Sequence, residues 1–238
     1  MEYLLNFFSN IKSDLYQTLI EADRWKLFAE GLKNTIIIAI FATIIGILIG
    51  TAIAIIKVSN AQTGKLKILN FICNAYLAII RGTPILVQLL IMFYVVFKAV
   101  SLDSAIYVAI LSFGINSGAY VAEIIRAGIM SIDKGQTEAG RSIGLSASQT
   151  MKLIVLPQAV KNVLPAIFNE FITLLKETSV AGFIAVKDLT KAADIVRTHT
   201  YNAFPPLLLV ALIYLILVIG LTAIQRKIER RLSQGDRR

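Results

Sequence analysis

Charge falls along this chain in blocks, and the gaps between the blocks decide its class. Thr35–Ile56 runs for 22 residues without a charged side chain, Ser104–Ala122 for 19 and Pro205–Gln225 for 21. A bilayer core of ~30 Å is crossed by about 20 apolar residues in a helix, since each residue rises only ~1.5 Å. Each stretch therefore predicts a membrane-crossing helix. Leu156–Val180 predicts another, although it carries Lys161 and Glu170. The apolar region Ile68–Phe97 is interrupted only by Arg81, inside Arg81-Gly82-Thr83-Pro84. Proline disfavours helical geometry at the residue before it, so this region divides. Leu66–Ile80 predicts a helix at or near one membrane face. Ile85–Val100 predicts span two, with a backward extension through the proline left open. The pattern is that of an all-α polytopic membrane protein with five transmembrane helices: Thr35–Ile56, Ile85–Val100, Ser104–Ile125, Leu156–Val180 and Pro205–Gln225.

Composition agrees: 56% of residues are hydrophobic, 16% are charged, and the mean hydropathy is +0.72. Ordinary soluble domains carry about 25% charged residues. A single cysteine, Cys73, excludes an internal disulfide or a thiolate metal cage and reads as a packing residue. A single histidine, His199, cannot form a histidine metal site alone. No signal peptide is expected, because residues 1–33 hold charges of both signs. The net charge of +9 would suggest nucleic acid in a soluble protein. Here the basic residues flank membrane spans, so lipid and not nucleic acid is the expected contact.

Five crossings put the termini on opposite sides, and basic residues gather on the cytoplasmic side. With the loop between spans three and four inside, that side holds Lys57, Lys65, Lys67, Arg81, Arg126, Lys134, Arg141, Lys152 and Lys161. It also holds Arg226, Lys227, Arg230, Arg231, Arg237 and Arg238, making 15 of the 24 basic residues. The expected topology is N-terminus outside and C-terminus cytoplasmic. Leu4, Leu5, Phe8, Ile11 and Leu15 recur at helical spacing ahead of Trp25, so residues 1–30 read as an amphipathic segment at the interface.

The inner loop, residues 126–156, has more internal structure than a connector requires. Asp133 with Gln136, and Ser146 with Gln149, have capping-box spacing, and Gly144 between them suits a left-handed helix end. Two short helices with a sharp bend are predicted. Small residues (Ala139, Gly140, Ser142, Ala147) leave room for a partner surface, so the element reads as a docking knob. No G-x-x-x-x-G-K-[ST] phosphate loop occurs, and Thr63-Gly64-Lys65 lacks its upstream glycine. Neither a nucleophile–base set nor a metal cluster is apparent, so the chain is not expected to be an enzyme.

The spacing Glu138-Ala139-Gly140, three residues, Gly144, nine residues, Ile154-x-Leu156-Pro157 resembles the EAA loop, E-A-A-x3-G-x9-I-x-L-P, of permease subunits of bacterial ABC importers. Only the third position departs, with glycine for alanine. Arg81–Leu90, Asn116–Ile129, Lys134–Gly140 and Leu164–Ser179 are similar to the polar amino acid branch of that family. The resemblance implies a type I importer fold, with residues 1–238 forming one transmembrane permease domain in the inner (cytoplasmic) membrane. It implies a second permease subunit, identical or paralogous, two ABC ATPase subunits and an extracytoplasmic amino-acid-binding protein. It implies that ATP and Mg sit on the ATPase, with no cofactor on this chain. ATPase coupling falls to Glu138, Ala139, Gly140, Arg141, Gly144, Leu145 and Pro157.

Polar groups inside a membrane are costly and tend to face an interior or a wet cavity. The candidate substrate path is therefore Gln88, Asn116, Ser117, Tyr120, Asn169, Glu170 and Thr173. Glu170 either receives the ammonium of an amino acid or pairs with Lys161, Arg126 or a packing partner. Glu123, beside Arg126, reads as a gate or ion pair. Gly46 and Gly50 form a G-x-x-x-G pattern that predicts close helix packing. Lys176, Glu177, Lys187, Asp188, Lys191, Asp194 and Arg197 are expected on an outer loop with a solvated surface. The alternative is a stand-alone ion-coupled carrier or channel with Glu123 and Glu170 as a relay, which would need no docking knob.

Overall fold

The structure, a computed structural model, describes residues 13–98, 101 and 104–233. Of the expected interfacial segment, residues 1–12 lie outside these; Leu15 and Trp25 are 45% and 49% exposed. The helices are α1 (Trp25–Thr63), α2 (Lys67–Gly82), α3 (Ile85–Ile91, extended by a π turn Met92–Val96), α4 (Ala105–Met130) and α5 (Lys134–Ser142). They continue with α6 (Ala147–Thr150), which runs through a π turn Met151–Val155 into α7 (Leu156–Glu177), then α8 (Leu189–Thr200) and α9 (Phe204–Ser233). No strand occurs among the described residues.

Helix α1 is much longer than its uncharged run. It stops at Gly64, whose φ of +67° lets its N–H reach Asn60 O at 2.8 Å. Four helical stretches are long and apolar enough to cross a membrane: α1, α4, Ala147–Ile184 and Phe204–Leu232. Helices α2 and α3 meet at a bend of 107°. The helical part of the expected span Ile85–Val100 ends at Val96, which gives about 18 Å of rise and falls short of the bilayer core.

Packing between α1 and α4 shows how the chain nevertheless crosses five times. Gly46 lies against Ser117 and Gly50 against Val121; from the other side Gly114 lies against Ile45 and Gly118 against Ile49. Residue numbers rise together on both helices, so the two run parallel. The chain between them must return across the membrane, and the bent α2–α3 pair is that return. The expected G-x-x-x-G contact on α1 is met by a second one on α4, Gly114-x-x-x-Gly118. A Cβ on Gly50 would stand 2.6 Å from Val121 Cγ1 and 2.8 Å from Ala122 N. Without a hydrophobic force between helices in lipid, such backbone approach supplies dispersion contacts that hold the pair.

Three apolar clusters surround this seam. Leu89 and Phe93 of α3 pack with Ile38, Phe113 and Leu174. Cys73 and Leu77 of α2 pack with Ile53, Ala119 and Ala122, so Cys73 is the packing residue expected. The third cluster sits in the segment read as an outer loop. Leu189, Ala192, Ala193 and Val196 lie on one face of α8 and bury against Phe28 of α1 and Val210 of α9.

Gly50→Ala should open the seam and destabilise the protein by about 1–3 kcal/mol, the usual cost of overpacking. Gly220→Ala, with nothing within 4 Å of its added methyl, should be neutral or stabilising by up to about 1 kcal/mol through helix propensity. Thermal unfolding of the purified chain in detergent checks the contrast.

Candidate functional site

The loop between α4 and α7 is a folded elbow. Asp133 caps α5, but it accepts from Gly135 N at 2.6 Å, and its own N–H makes no reciprocal bond to the Gln136 side chain. The Gln136 side chain instead meets Gln158 Nε2 of α7 at 3.4 Å, which replaces the expected capping box with a tie between helices. At the other end Gly144 takes φ +91°, and Leu145 N–H turns back to Gly140 O at 3.2 Å. Arg141 Nη1 donates to Leu145 O at 2.6 Å and fixes the same turn. Ser146 and Gln149 form the full capping box, with bonds of 3.2 and 2.8 Å.

Gly140 is buried between the two arms. A Cβ there would lie 2.7 Å from Ile154 Cδ1 and 2.8 Å from Thr150 Cγ2. The glycine that replaces the pattern's alanine thus lets α5 sit directly on the start of the next helix. Glu138, Ala139, Arg141 and Gly144 are exposed around it, and Leu145 is half-buried. Pro157 stands directly after the π turn Met151–Val155, at the second position of α7. The chain stays helical across it, from Ala147 to Ile184.

Two hydrogen-bonded pairs lie side by side on α4. Asn116 Nδ2 donates to Gln88 Oε1 at 3.0 Å, and Ser117 Oγ donates to Glu170 Oε1 at 3.0 Å. Gln88 also repairs the break before it. Its Nε2 donates to Ile80 O at 2.8 Å, Thr83 O at 3.0 Å and Thr83 Oγ1 at 2.8 Å, carbonyls and a hydroxyl at the interruption by Pro84. Tyr76 fixes α2 at the same level by donating to Ile115 O. Glu170 is half-buried and Asn169 exposed on α7; Thr173, half-buried, lies one turn further along. Neither Asn169 nor Thr173 joins these bonds.

Towards the elbow, three cations converge on Glu123. Arg126 holds it through Nη2 at 2.8 Å and Nε at 3.2 Å, with Lys57 Nζ at 3.9 Å and Arg81 Nη1 at 4.0 Å. Arg126 is thereby turned from Glu170, one of the pairings left open from sequence. Arg81 also lies 5.7 Å from the centre of the Tyr120 ring, which is 38% exposed. Sequence spacing gives Arg126, three residues away on the same helix; Lys57 and Arg81 require the fold.

At the opposite end of the bundle Asp188 departs from its expected place on a solvated surface. It is fully buried and caps α8 by accepting from Thr190 N at 2.9 Å and Lys191 N at 3.0 Å. Gly31 of α1 makes room for its backbone, and Thr35 Oγ1 accepts from Leu189 N at 3.2 Å. Burial raises the Asp188 carboxyl above its ordinary 3.8, and the two backbone amides oppose that shift. Asp194 sits in the contrasting setting. Lys191 at 2.9 Å and Arg197 at 2.5 Å hold its carboxyl below the usual range.

With this geometry in place, comparison with known proteins identifies the class. The sequence pattern of the binding-protein-dependent transport system inner membrane component matches residues 46–234. The chain belongs to that family of membrane transport components. GlnP of Rickettsia typhi, a permease protein named for a glutamine transport system, is 41% identical over 204 residues, 85% of this chain and 91% of its own. The arginine transport system permease protein ArtQ of Bacillus subtilis is 38% identical over 208 residues, 87% and 93% of the two chains. The crystal structure of an amino acid ABC transporter with histidines superposes with a TM-score of 0.82 at 38% identity, over 89% of this chain and 96% of that one. The fold is thus that of an ABC importer permease, a multi-pass membrane protein, and membership implies binding-protein and ATPase partners in general.

Asp188→Asn should keep an acceptor for one of the two amides while removing a buried charge. An acid raised in the folded state contributes stability below its unfolded pKa and loses it as pH rises through the folded value. Wild-type stability should therefore carry a declining component above pH 3.8 that Asp188→Asn lacks. Asp188→Ala should lose about 1 kcal/mol through the missing cap. Thermal unfolding across a pH series checks both.

Proposed function

We propose that this chain, as one permease domain over residues 1–238, forms the translocation path of an ATP-driven importer of polar amino acids in the cytoplasmic membrane. The N-terminus is outside and the C-terminus cytoplasmic, as the basic residues near the elbow favour. A second permease subunit, identical or paralogous, completes the path. Two ATPase subunits carry ATP and Mg and grip the elbow, and an extracytoplasmic protein delivers the solute. The names of the relatives, glutamine and arginine permeases, support a polar amino acid as cargo.

The observation that carries this reading is mechanical. The elbow is capped, glycine-locked and continuous with α7, the helix that holds Glu170 against Ser117. When the ATPases close on nucleotide, α5 moves as a rigid body, α7 tilts, and the path changes the side to which it opens. Glu138, Ala139, Gly140, Arg141, Gly144, Leu145 and Pro157 transmit the motion. Gln88, Asn116, Ser117, Tyr120, Asn169, Glu170 and Thr173 line the path, with Glu170 receiving the solute's ammonium. Family membership argues against the stand-alone carrier, which would transport in liposomes without an ATPase.

Cysteine at Ala139 or Ser142 should crosslink to the ATPase, and the crosslink should abolish ATP-driven uptake; unimpaired uptake with the contact locked refutes coupling through the elbow. Glu170→Gln keeps an acceptor for Ser117 but loses the charge. Uptake should fall roughly tenfold, as for the loss of one charged hydrogen bond. Chain level and solute affinity of the binding protein should stay unchanged. Wild-type uptake by this variant would leave Glu170 a packing residue.

A further inference from the structure

A cavity of about 530 Å³ lies where α1 ends, walled by α2, the end of α4 and the elbow. It is separate from the polar pairs of the path. Lys57, Arg126 and Lys134 line it together with Asn60, Asn70 and Asn74, and no carboxylate does. Lys57 is bonded to Asn74 Oδ1 at 2.6 Å, and Arg126 is committed to Glu123. The Lys134 side chain makes no hydrogen bond or ion pair among the described residues. Asn60 Oδ1 is buried with no hydrogen-bond partner. A group that suits these walls carries a negative charge for the cations and a hydroxyl to donate to Asn60.

Beside the cavity, α2 turns an apolar strip outward: Ile68, Phe71, Ile72 and Ile79 are 79%, 74%, 56% and 63% exposed. On a helical projection this strip borders the face that carries Asn70 and Asn74, and it runs from the cavity towards the middle of the bundle. A polar, cationic recess continuous with an apolar strip matches an amphiphile, with its headgroup in the recess and its chains on the strip. Basic pockets between helices on the cytoplasmic side suit anionic lipid headgroups.

We propose that this recess binds one anionic phospholipid of the phosphatidylglycerol class. Its phosphate meets Lys134 and Lys57, its glycerol hydroxyl donates to the Asn60 side chain once that amide turns its buried Oδ1 to the cavity, and its acyl chains cover Ile68, Phe71, Ile72 and Ile79. Placing that lipid in the inner leaflet rests on the orientation proposed above; the binding itself does not. Because Lys134 opens α5, the bound lipid braces the elbow against the end of α1.

The purified full chain, stripped of lipid in detergent, is titrated by native mass spectrometry with dioleoyl-phosphatidylglycerol, dioleoyl-phosphatidylcholine and sn-glycerol 3-phosphate. One phosphatidylglycerol should bind per chain where phosphatidylcholine does not. Lys134→Ala and Asn60→Leu should each weaken that binding about tenfold, the equivalent of about 1.4 kcal/mol. Lys152→Ala, an exposed basic change outside the cavity, should leave it unaltered. Equal binding of phosphatidylcholine overturns the proposal, as does an equal loss in Lys152→Ala. Binding of glycerol 3-phosphate in place of the lipid overturns the lipid assignment in favour of a soluble phosphate. The readout needs neither ATPase nor uptake, so its failure is distinct from failure of the transport mechanism.

Discussion

The close approach of α1 and α4 is the contact from which the rest of the fold follows. Four glycines, two on each helix, let the backbones meet in parallel. Parallel alignment then dictates that the chain between them return across the membrane. It also places Asn116 and Ser117 on the seam, where one can reach Gln88 and the other Glu170. Apolar helices in lipid gain little by hiding grease from one another, so small residues at the seam matter more than large ones. The polar line at the centre of the protein is held by glycine packing beside it.

Much of this was legible in the residues. The charge-free runs locate three of the four long helices because a bilayer imposes a minimum length on them, and the fourth follows Leu156–Val180 despite its charges. The Ser146–Gln149 box and the bend at Gly144 were legible because both are short-range, decided within a few residues. The Asp133–Gln136 box had the same spacing but lost its second half, since Gln136 found Gln158 on another helix. Local patterns propose bonds, and tertiary neighbours can take the partners away.

Other features depended on distance along the chain. Lys57 and Glu123 stand 3.9 Å apart although 66 positions separate them. Gln88 was visible as an amide after a proline, but not as the group that satisfies the carbonyls the proline exposes. Helix α8 was within reach: Leu189, Ala192, Ala193 and Val196 have helical spacing behind an aspartate cap. The charges of Lys187, Asp188, Lys191, Asp194 and Arg197 concealed it. One of those charges, Asp188, is among the most deeply buried side chains in the bundle.

The bend between α2 and α3 bears on how the molecule is made. Twelve helical residues on the far side of Pro84 cannot by themselves span a membrane, and their polar break is satisfied partly through Gln88, which leans on Asn116. Asn116 is synthesised after both arms of the bend. In a nascent chain the bond that anchors Gln88 can form only once α4 has been made, so the second crossing acquires its last polar partner together with the third.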